Sequence, residues 1–364
     1  MKTRDVKIGA MSNSQTDDLR ISRLDPLISP AVLSYYLPIS DKAAGVVSSA
    51  RGGAEKIMNG EDDRVLVVIG PCSIHDTKAA IEYAQKLKPL VDKYADDLLI
   101  VMRVYFEKPR TTVGWKGLIN DPHLDGSFDI NRGLRIAREL LLELNEMGVP
   151  AATEFLDTIS PQYVADLISY GAIGARTTES QVHRELASGL SMPVGFKNGT
   201  GGSIQIALDA IQAAQGSHHF LSVSKEGVSS IVTTAGNDSC HIIMRGSSKG
   251  PNYDAESVNA VAEQLKAKGL PEQMMVDCSH GNSKKDFRNQ SSVVSDLCLQ
   301  VASGSMAVAA VMIESHLIEG AQKLNSDLDE MTYGQSVTDQ CIGWDTTEAV
   351  LSELAGAVQS RRNM

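Results

Sequence analysis

Eight short apolar runs in the sequence each lead into a reactive or charged side chain. The run from Val65 to Gly70, for example, is followed two residues later by a cysteine. Four of the eight groups are basic, and such a succession is difficult to explain as surface decoration. The pattern predicts one reactive site assembled from the ends of eight strands. In chain order the residues are Cys72, Arg103, Glu154, Arg176, Lys197, Arg245, His280 and Glu314.

Basic residues at or near these run ends are candidates for an anion-binding pocket. Arg presents a planar fork of donors that matches phosphate or carboxylate oxygens, and Lys supplies a compact charge. In a chain with a net charge of −11, their convergence predicts a small substrate with several negative charges, such as a phosphorylated acid. One or two of them are expected to pair with barrel carboxylates instead. The six residues are Arg103, Lys108, Arg110, Arg176, Lys197 and Arg245.

A thiol, an imidazole and two carboxylates form a candidate metal site, made of Cys72, His280, Glu314 and Asp339. This mixed set of sulfur, nitrogen and oxygen ligands suits Mn²⁺, Fe²⁺, Zn²⁺ or Co²⁺. The residues are far apart in sequence, so their spacing gives no fingerprint. Three of them follow the first, seventh and eighth predicted strands, which become neighbours when a barrel closes. A structural role for any single one of them stays open.

The elements that position these residues follow a repeating pattern. The apolar runs alternate with helix-like segments, which is typical of βα units. Eight units after residue 64 predict an α/β fold, a (β/α)₈ TIM barrel, with a doubly wound sheet as the alternative. In such a barrel the C-terminal strand ends share the face that carries the active site. The helix-like segments include 78–91, 131–147, 161–170, 203–214, 254–268 and 291–301.

Two segments fall outside this repeat. Residues 1–64 precede the first strand and contain a proline-rich piece followed by a helix-like stretch at 41–59. Residues 220–238 form two alternating runs around Gly227, which predicts a β-hairpin inserted before the sixth barrel strand. We therefore divide the chain into an N-terminal regulatory or oligomerisation extension, 1–64, and a catalytic barrel, 65–364, that includes the hairpin.

Composition bounds the class of protein. Of 364 residues, 42% are hydrophobic and 22% are charged, which is ordinary for a folded globular chain. The acidic balance argues against nucleic acid or an anionic membrane as the main partner. Five scattered cysteines without a CxxC pair, with no signal peptide and no long apolar span, favour a reduced, cytoplasmic protein. Because the residues before Met11 show no pattern, Met1 and Met11 both stay open as the start.

Other signals are weaker. The glycine-rich turn at 199–203 matches neither a P-loop nor a dinucleotide fingerprint, so nicotinamide and ATP chemistry lack support. We interpret His183, His218 and His219 as solvated side chains rather than ligands, and we expect Trp115 and Trp344 in loops that border the pocket.

Long motifs resemble the type I alpha 3-deoxy-D-arabino-heptulosonate-7-phosphate (DAHP) synthases, and the resemblance extends from Asp17 to the end of the chain. It implies a barrel with an extension and an inserted hairpin, and a metal-dependent condensation of phosphoenolpyruvate with erythrose 4-phosphate and water. The products are DAHP and phosphate, and the reaction is the first step of the shikimate pathway to aromatic amino acids. The motifs are GPCSIHD at 70–76, the segments at 102–128 and 171–200, DCSHGNS at 277–283, VMIESHLIEG at 311–320 and SVTDQCIGW at 336–344.

The same resemblance implies roles for individual residues. One divalent ion per subunit, Mn²⁺ before Fe²⁺, Co²⁺ or Zn²⁺, would be held by the four candidate ligands Cys72, His280, Glu314 and Asp339. Arg110 and Thr111 would bind the phosphate of erythrose 4-phosphate. Lys108 would protonate the developing alkoxide, and Glu154 or His280 would handle the proton of the attacking water. Phosphoenolpyruvate would contact Arg103, Lys108, Arg176, Lys197, Arg245 and the backbone N–H of Ala175.

Feedback inhibition by an aromatic amino acid in a homodimer or homotetramer is also implied. The two aspartates of the implied effector site would come from a neighbouring subunit and pair with the ammonium group. Serine rather than glycine at Ser222 favours phenylalanine over tyrosine, because its bulk leaves less room for a ring hydroxyl. The implied effector residues are Asp17, Asp18, Pro161, Gln162, Ser191, Phe220, Ser222 and Val232.

Two other functions stay open. A related barrel synthase adds phosphoenolpyruvate to a different aldehyde, such as arabinose 5-phosphate, but the KPRT motif at 108–111, the extension and the hairpin argue against it. A catalytically inactive regulatory barrel is the second alternative, and the complete set of charged run ends argues against that.

Overall fold

In the computed structural model, which describes residues 16–110, 114–325 and 330–364, the chain folds around a barrel. The strands are β1 Val65–Gly70, β2 Leu98–Arg103, β3 Ala151–Glu154, β4 Tyr170–Ile173, β5 Val194–Lys197, β6 His219–Val223, β7 Ser229–Thr233, β8 Cys240–Met244, β9 Met274–Asp277, β10 Val308–Glu314, β11 Ile318–Ala321 and β12 Gln335–Ser336. The helices are α1 Pro30–Tyr36, α2 Asp41–Met58, α3 Thr77–Lys93, α4 Ile130–Met147, α5 Pro161–Val164, α6 Gln181–Ser188, α7 Gln205–Ala214, α8 Ala255–Ala267, α9 Asn289–Ala302 and α10 Trp344–Arg362.

Eight parallel strands close the barrel in the order β1-β10-β9-β8-β5-β4-β3-β2. Closure is visible at β1, which pairs with β2 on one side and with β10 on the other. The predicted (β/α)₈ barrel is confirmed, and the doubly wound alternative is wrong. The pairing β10-β1 and β9-β10 also makes the first, seventh and eighth barrel strands neighbours, as the candidate metal site requires.

The barrel strands are mostly apolar because both of their faces are buried, as expected for parallel strands covered by helices. Leu66 and Val68 of β1 belong to the core inside the barrel, whereas Val65, Val67 and Ile69 pack with the surrounding helices. The interior core also includes Ala54, Ile57 and Met58 of α2. The predicted extension is therefore packed against the barrel through α2.

The inserted hairpin is confirmed. Strands β6 and β7 pair antiparallel, with Ser222 opposite Ser230, and Gly227 adopts a left-handed φ of +79° in the turn. The hairpin contacts the extension, because the Ala31 N–H donates to the Lys225 carbonyl at 2.6 Å. On its outer side the cross-strand neighbours Leu221 and Ile231 are 86% and 77% exposed.

The proline-rich piece forms α1, for which Ser29 is the N-cap and Pro30 the first residue. Some local expectations were wrong. The helix expected at 161–170 ends early, because a 3₁₀ turn follows α5 and Tyr170 already belongs to β4. Trp344 is not in a loop: it begins α10 and packs edge-on against Tyr83, 5.4 Å between ring centroids. No helix in the described part of the chain is long and apolar enough to cross a bilayer.

The three histidines interpreted as solvated are only partly so. His183 lies on α6 and bonds Ser180 and the Leu156 carbonyl through its two ring nitrogens, both at 2.9 Å. His218 reaches the Ala213 carbonyl at 2.7 Å. His219, in contrast, begins β6 and is exposed. All three have local roles in the fold.

Candidate active site

A cleft of about 140 Å³ opens where the C-terminal ends of the barrel strands meet. It collects predicted residues from β3, β5 and the loops after β2, β4, β8, β9 and β12. The predicted residues that line the cleft are Lys108, Arg110, Glu154, Ala175, Arg176, Lys197, Arg245, His280 and Asp339. Thr200 and Thr338 also line the cleft, but we had not predicted them as site residues. The predicted residue Thr111 lies outside the described residues.

Three arginines of the cleft are free of carboxylate partners among the described residues. Arg110 Nε donates to the Trp115 carbonyl at 2.7 Å, and an Arg176 N–H donates to the Pro109 carbonyl at 2.8 Å. Arg245 is anchored through its backbone N–H, which donates to Asn198 Oδ1 at 2.8 Å. Their charges therefore remain available to an anion in the cleft.

Arg103 and Lys197 are the two predicted cations that pair with carboxylates. Arg103 is fully buried, stacks on the Tyr105 ring at 3.8 Å and donates to Glu314 Oε1 at 3.1 Å. Its second terminal nitrogen is buried with no hydrogen-bond partner in the described chain. Lys197 Nζ lies 3.0 Å from Asp277 Oδ2. Arg103 thus sits behind the cleft wall, whereas Lys197 is part of that wall.

The candidate ligands converge beside this cleft. Donor atoms of Cys72, Glu314 and Asp339 all lie within 4.8 Å of one another, and Cys72 Sγ is 3.7 Å from Asp339 Oδ2. His280 lies beside these three but outside their cluster, with its Nε2 4.0 Å from Glu314 Oε1. Cys72 and Glu314 are fully buried, whereas Asp339 is exposed to the cleft. The mixed donor set and its open side fit one divalent metal ion. We call these four residues the ligand group.

Electrostatics tie the ligand group to Lys108. Lys108 Nζ donates to Cys72 Sγ at 3.1 Å. Burial, together with the charge of Glu314, raises the pKa of the Cys72 thiol to about 12. Burial alone would lower the pKa of Lys108, but its interactions with Cys72 and with the carboxylates of Glu314 and Asp339 outweigh burial and raise that pKa. A metal cation lowers the pKa of a thiol that coordinates it, so the thiol loses its proton.

Residues that contact His280 and Glu314 hold these two ligands in place, and the sequence analysis did not single them out. Asp277 Oδ2 lies 2.9 Å from His280 Nδ1, and Ser279 Oγ donates to Glu314 Oε2 at 2.7 Å. Gln290 of α9 bonds both the backbone N–H and the carbonyl of Glu314, at 2.9 and 3.0 Å. The carboxylate three residues before a candidate histidine ligand was a usable signal for Asp277. Nothing local marked Gln290.

Two glycines allow the close packing of the site. A Cβ at Gly174 would lie 2.2 Å from Glu154 Oε1. A Cβ at Gly281 would lie 2.4 Å from the Ser247 backbone nitrogen. The preceding residue, His280, has a left-handed φ of +54°, so the turn after β9 is tightly constrained.

A second, larger cavity of about 700 Å³ lies between the hairpin and the barrel, and we call it the hairpin cavity. Arg51, Asp166 and Lys225 also line it and were not predicted. Asp17 and Asp18 are exposed in the extension and are not among its lining residues. Six of the eight implied effector residues do line it, namely Pro161, Gln162, Ser191, Phe220, Ser222 and Val232.

A buried hydrogen bond joins residues that adjoin the two cavities. Ser160 Oγ donates to Glu107 Oε2 at 2.9 Å. Ser160 precedes Pro161 of the hairpin cavity, and Glu107 precedes Lys108 of the cleft. Burial, with the nearby charge of Asp157, raises the pKa of Glu107 to about 7. A protonated or ionised Glu107 can accept from Ser160, so the contact itself is compatible with both states.

Known proteins resemble this chain over nearly its whole length. Residues 37–352 match the model of the DAHP synthetase I family. The Phe-sensitive phospho-2-dehydro-3-deoxyheptonate aldolase of Escherichia coli K12 is 60% identical over 96% of this chain and 99% of its own. The Trp-sensitive enzyme of the same strain is 55% identical over 96% and 99%. A solved structure of the Francisella tularensis SCHU S4 aldolase superposes with a TM-score of 0.92 at 53% identity, covering 94% of this chain and 99% of that one. The chain therefore belongs to the DAHP synthetase I family, and the condensation expected from the sequence is its reaction.

Proposed function

We propose that the cleft binds phosphoenolpyruvate and erythrose 4-phosphate side by side, with one divalent metal ion held by the ligand group. The observation that carries this proposal is the placement of a thiol, imidazole and carboxylate group against a cleft whose arginines lack carboxylate partners. Mn²⁺ is the first choice of metal, with Fe²⁺, Co²⁺ or Zn²⁺ as alternatives. Five unpaired cysteines suit a reducing compartment such as the cytoplasm.

Phosphoenolpyruvate is assigned to the part of the cleft formed by β5 and the loops after β4 and β8. Arg176 and Arg245 bind its phosphate together with the backbone N–H of Ala175, because guanidinium forks match phosphate oxygens. Lys197 and the buried Arg103 supply positive charge for its carboxylate. One terminal nitrogen of Arg103 is buried without a hydrogen-bond partner in the described chain, so it can donate to that carboxylate.

Erythrose 4-phosphate is assigned to the loop after β2. Arg110 is exposed, and a single backbone carbonyl holds it, so its charge faces the cleft mouth. It binds the phosphate of the sugar, with Thr111 as its neighbour in the motif. The aldehyde then lies on the side of the ligand group, and a divalent metal held by those residues would supply a Lewis acid for the aldehyde oxygen.

Proton transfers are assigned to three residues. Carbon 3 of phosphoenolpyruvate bonds to the aldehyde carbon, and Lys108 delivers a proton to the oxygen that develops negative charge. Water adds to carbon 2, and Glu154 or His280 removes its proton. The resulting hemiketal phosphate expels inorganic phosphate. Lys108 suits its role because the negative groups around it keep its ammonium protonated until transfer.

The hairpin cavity is proposed as an effector site for phenylalanine, with tyrosine as the alternative. Phe220 and Val232 wall the aromatic ring, and Ser222 leaves little room for a ring hydroxyl. Asp17 and Asp18 of a neighbouring subunit bind the ammonium group, which requires a homodimer or homotetramer. Exposed apolar residues on the hairpin and the extension, such as Leu221, Ile231 and Leu24, supply a surface for that subunit.

One set of assays tests the proposal. Phosphate release is followed with phosphoenolpyruvate and either erythrose 4-phosphate or arabinose 5-phosphate, with Mn²⁺ or with a chelator. We expect turnover with erythrose 4-phosphate and Mn²⁺ only. Adding phenylalanine, tyrosine or tryptophan in parallel should give the strongest inhibition with phenylalanine. Preference for arabinose 5-phosphate, or full activity under chelation, would contradict the assignment of the cleft. A stronger response to tyrosine would contradict the effector assignment.

A further inference from the structure

Asp277 is the last residue of β9 and is fully buried. One of its oxygens, Oδ2, lies 2.9 Å from His280 Nδ1 and 3.0 Å from Lys197 Nζ. His280 belongs to the ligand group and Lys197 to the anion-binding wall of the cleft. A single buried carboxylate oxygen is thus in contact with both halves of the site.

The turn around Asp277 fixes where its carboxylate points. Its other oxygen, Oδ1, accepts from the Ser279 backbone N–H at 2.9 Å. Asn282 Nδ2 donates to the Asp277 carbonyl at 2.8 Å and to the Met244 carbonyl at 3.1 Å, which ties the turn to β8. The carboxylate is therefore held by the backbone and does not depend on either of its two side-chain partners for its position.

The contact with His280 determines which ring nitrogen faces the ligand group. The 2.9 Å contact is at ion-pair distance, and neither atom has a hydrogen-bond partner in the described chain. A carboxylate beside Nδ1 favours the tautomer with its proton there, which leaves Nε2 toward Glu314, at 4.0 Å. Nε2 without a proton is the form that binds a metal ion, and a carboxylate behind a ligand histidine orients the ring in this way.

The contact with Lys197 provides a counter-ion for a buried ammonium. Lys197 is only 3% exposed, and Asp277 is the carboxylate with which it forms an ion pair in the described chain. A buried charge that loses its partner is strongly destabilised. Lys197 therefore depends on Asp277 for its place on the cleft wall.

We propose that Asp277 is a positioning residue shared by the metal and phosphoenolpyruvate sites, so that one carboxylate sets the affinity for both. This inference rests on the proposed function of the two sites. It predicts a pattern across variants: loss of His280 weakens metal binding, loss of Lys197 weakens phosphoenolpyruvate binding, and loss of the Asp277 charge weakens both.

Binding rather than turnover tests the proposal. Mn²⁺ affinity of the metal-stripped full chain is measured from the electron paramagnetic resonance signal of free Mn²⁺. Phosphoenolpyruvate affinity is measured by calorimetry with Mn²⁺ in excess. For Asp277→Asn we expect Mn²⁺ affinity to fall about 10- to 100-fold and phosphoenolpyruvate affinity to fall about tenfold. His280→Ala should lose Mn²⁺ affinity alone, and Lys197→Met phosphoenolpyruvate affinity alone.

Asp286→Asn is the matched control. This variant makes the same Asp-to-Asn change at a residue whose ion pair with Arg288 lies at the surface. Its affinities for Mn²⁺ and for phosphoenolpyruvate should stay unchanged. A folded Asp277→Asn protein in which either affinity is unchanged overturns the proposal. If wild type itself binds neither Mn²⁺ nor phosphoenolpyruvate, the proposed function fails instead, so the two failures are distinguishable.

A measurement on wild type covers the case in which Asp277→Asn does not fold. Nitrogen NMR of ¹⁵N-histidine-labelled, metal-free protein, with His280 assigned from the spectrum of His280→Ala, reports which ring nitrogen carries a proton. We expect a protonated Nδ1. A neutral His280 with its proton on Nε2 alone would overturn the proposal without any change at Asp277.

Discussion

Gly174→Ala should disable the site through a single added methyl group. Gly174 follows β4, and its backbone lies outside the left-handed region, so alanine brings no backbone strain. The new Cβ would lie 2.2 Å from Glu154 Oε1, whereas carbon and oxygen atoms in ordinary contact are more than 3 Å apart. The carboxylate must therefore move by about 1 Å. Glu154 is 7% exposed and lines the cleft, so its carboxylate is expected to swing into the cleft, away from its proposed catalytic position.

The expected magnitude follows from the role proposed for Glu154. A displacement of about 1 Å of a catalytic group costs on the order of 100-fold in rate, or about 2.7 kcal/mol of activation free energy. Steady-state kinetics with both substrates should show that loss in kcat. Glu154→Gln sets its upper limit, and the double variant should be no slower than Glu154→Gln alone, since both changes remove the same function.

Gly201→Ala is the control for this prediction. Gly201 lies on the same face of the barrel, beside the cleft residue Thr200, and a Cβ there meets nothing within 4 Å. Its kcat should equal that of wild type. A folded Gly174→Ala enzyme with kcat within threefold of wild type would refute either the geometry at Glu154 or its catalytic role.

Four further predictions concern the metal, the substrates, the effector and pH. Cys72→Ala should abolish metal-dependent turnover while circular dichroism and the melting temperature show that the fold persists. Arg110→Ala should raise the KM for erythrose 4-phosphate about 10- to 100-fold and Arg245→Ala that for phosphoenolpyruvate, since each loses a charge-assisted contact to a different phosphate; equal effects on both substrates would contradict the assignment. Ser191→Phe should fill the hairpin cavity and abolish inhibition by phenylalanine with kcat retained, as inhibition curves would show. Burial raises the pKa of Glu107 from 4.5 to about 7, so ionisation of Glu107 destabilises the folded state by roughly 3 kcal/mol as the pH rises through that range. Compared with wild type, Glu107→Gln should therefore raise the melting temperature more at pH 8 than at pH 5. An equal change at both pH values would contradict the argument.

The barrel could be predicted from the sequence because strands that are buried on both faces consist almost entirely of apolar residues. Runs such as Val65–Gly70 are apolar without alternation, and only a sheet covered by helices explains eight of them. Once the barrel is accepted, parallel pairing places every C-terminal strand end on one face. Residues as distant as Cys72 and Glu314 could therefore be assigned to one site without any contact information.

The features that the sequence did not predict depend on tertiary contacts. Trp344 begins a helix and packs on Tyr83 and Lys86, which lie far from it along the chain. The helix expected at 161–170 gives way to β4 because Tyr170 pairs with β3. The dependence of Glu314 on Gln290 has the same origin. In each case a partner far along the chain decides the outcome.

Burial explains how the site keeps so many like charges together. Three cations of the site each have a negative or polarisable neighbour: Arg103 has Glu314, Lys197 has Asp277, and Lys108 has Cys72. Each partner offsets the cost of desolvating its cation. The more exposed arginines of the cleft remain hydrated and need no such partner within the chain. A doubly charged substrate that displaces that water is thus met by charges that do not first have to break an ion pair.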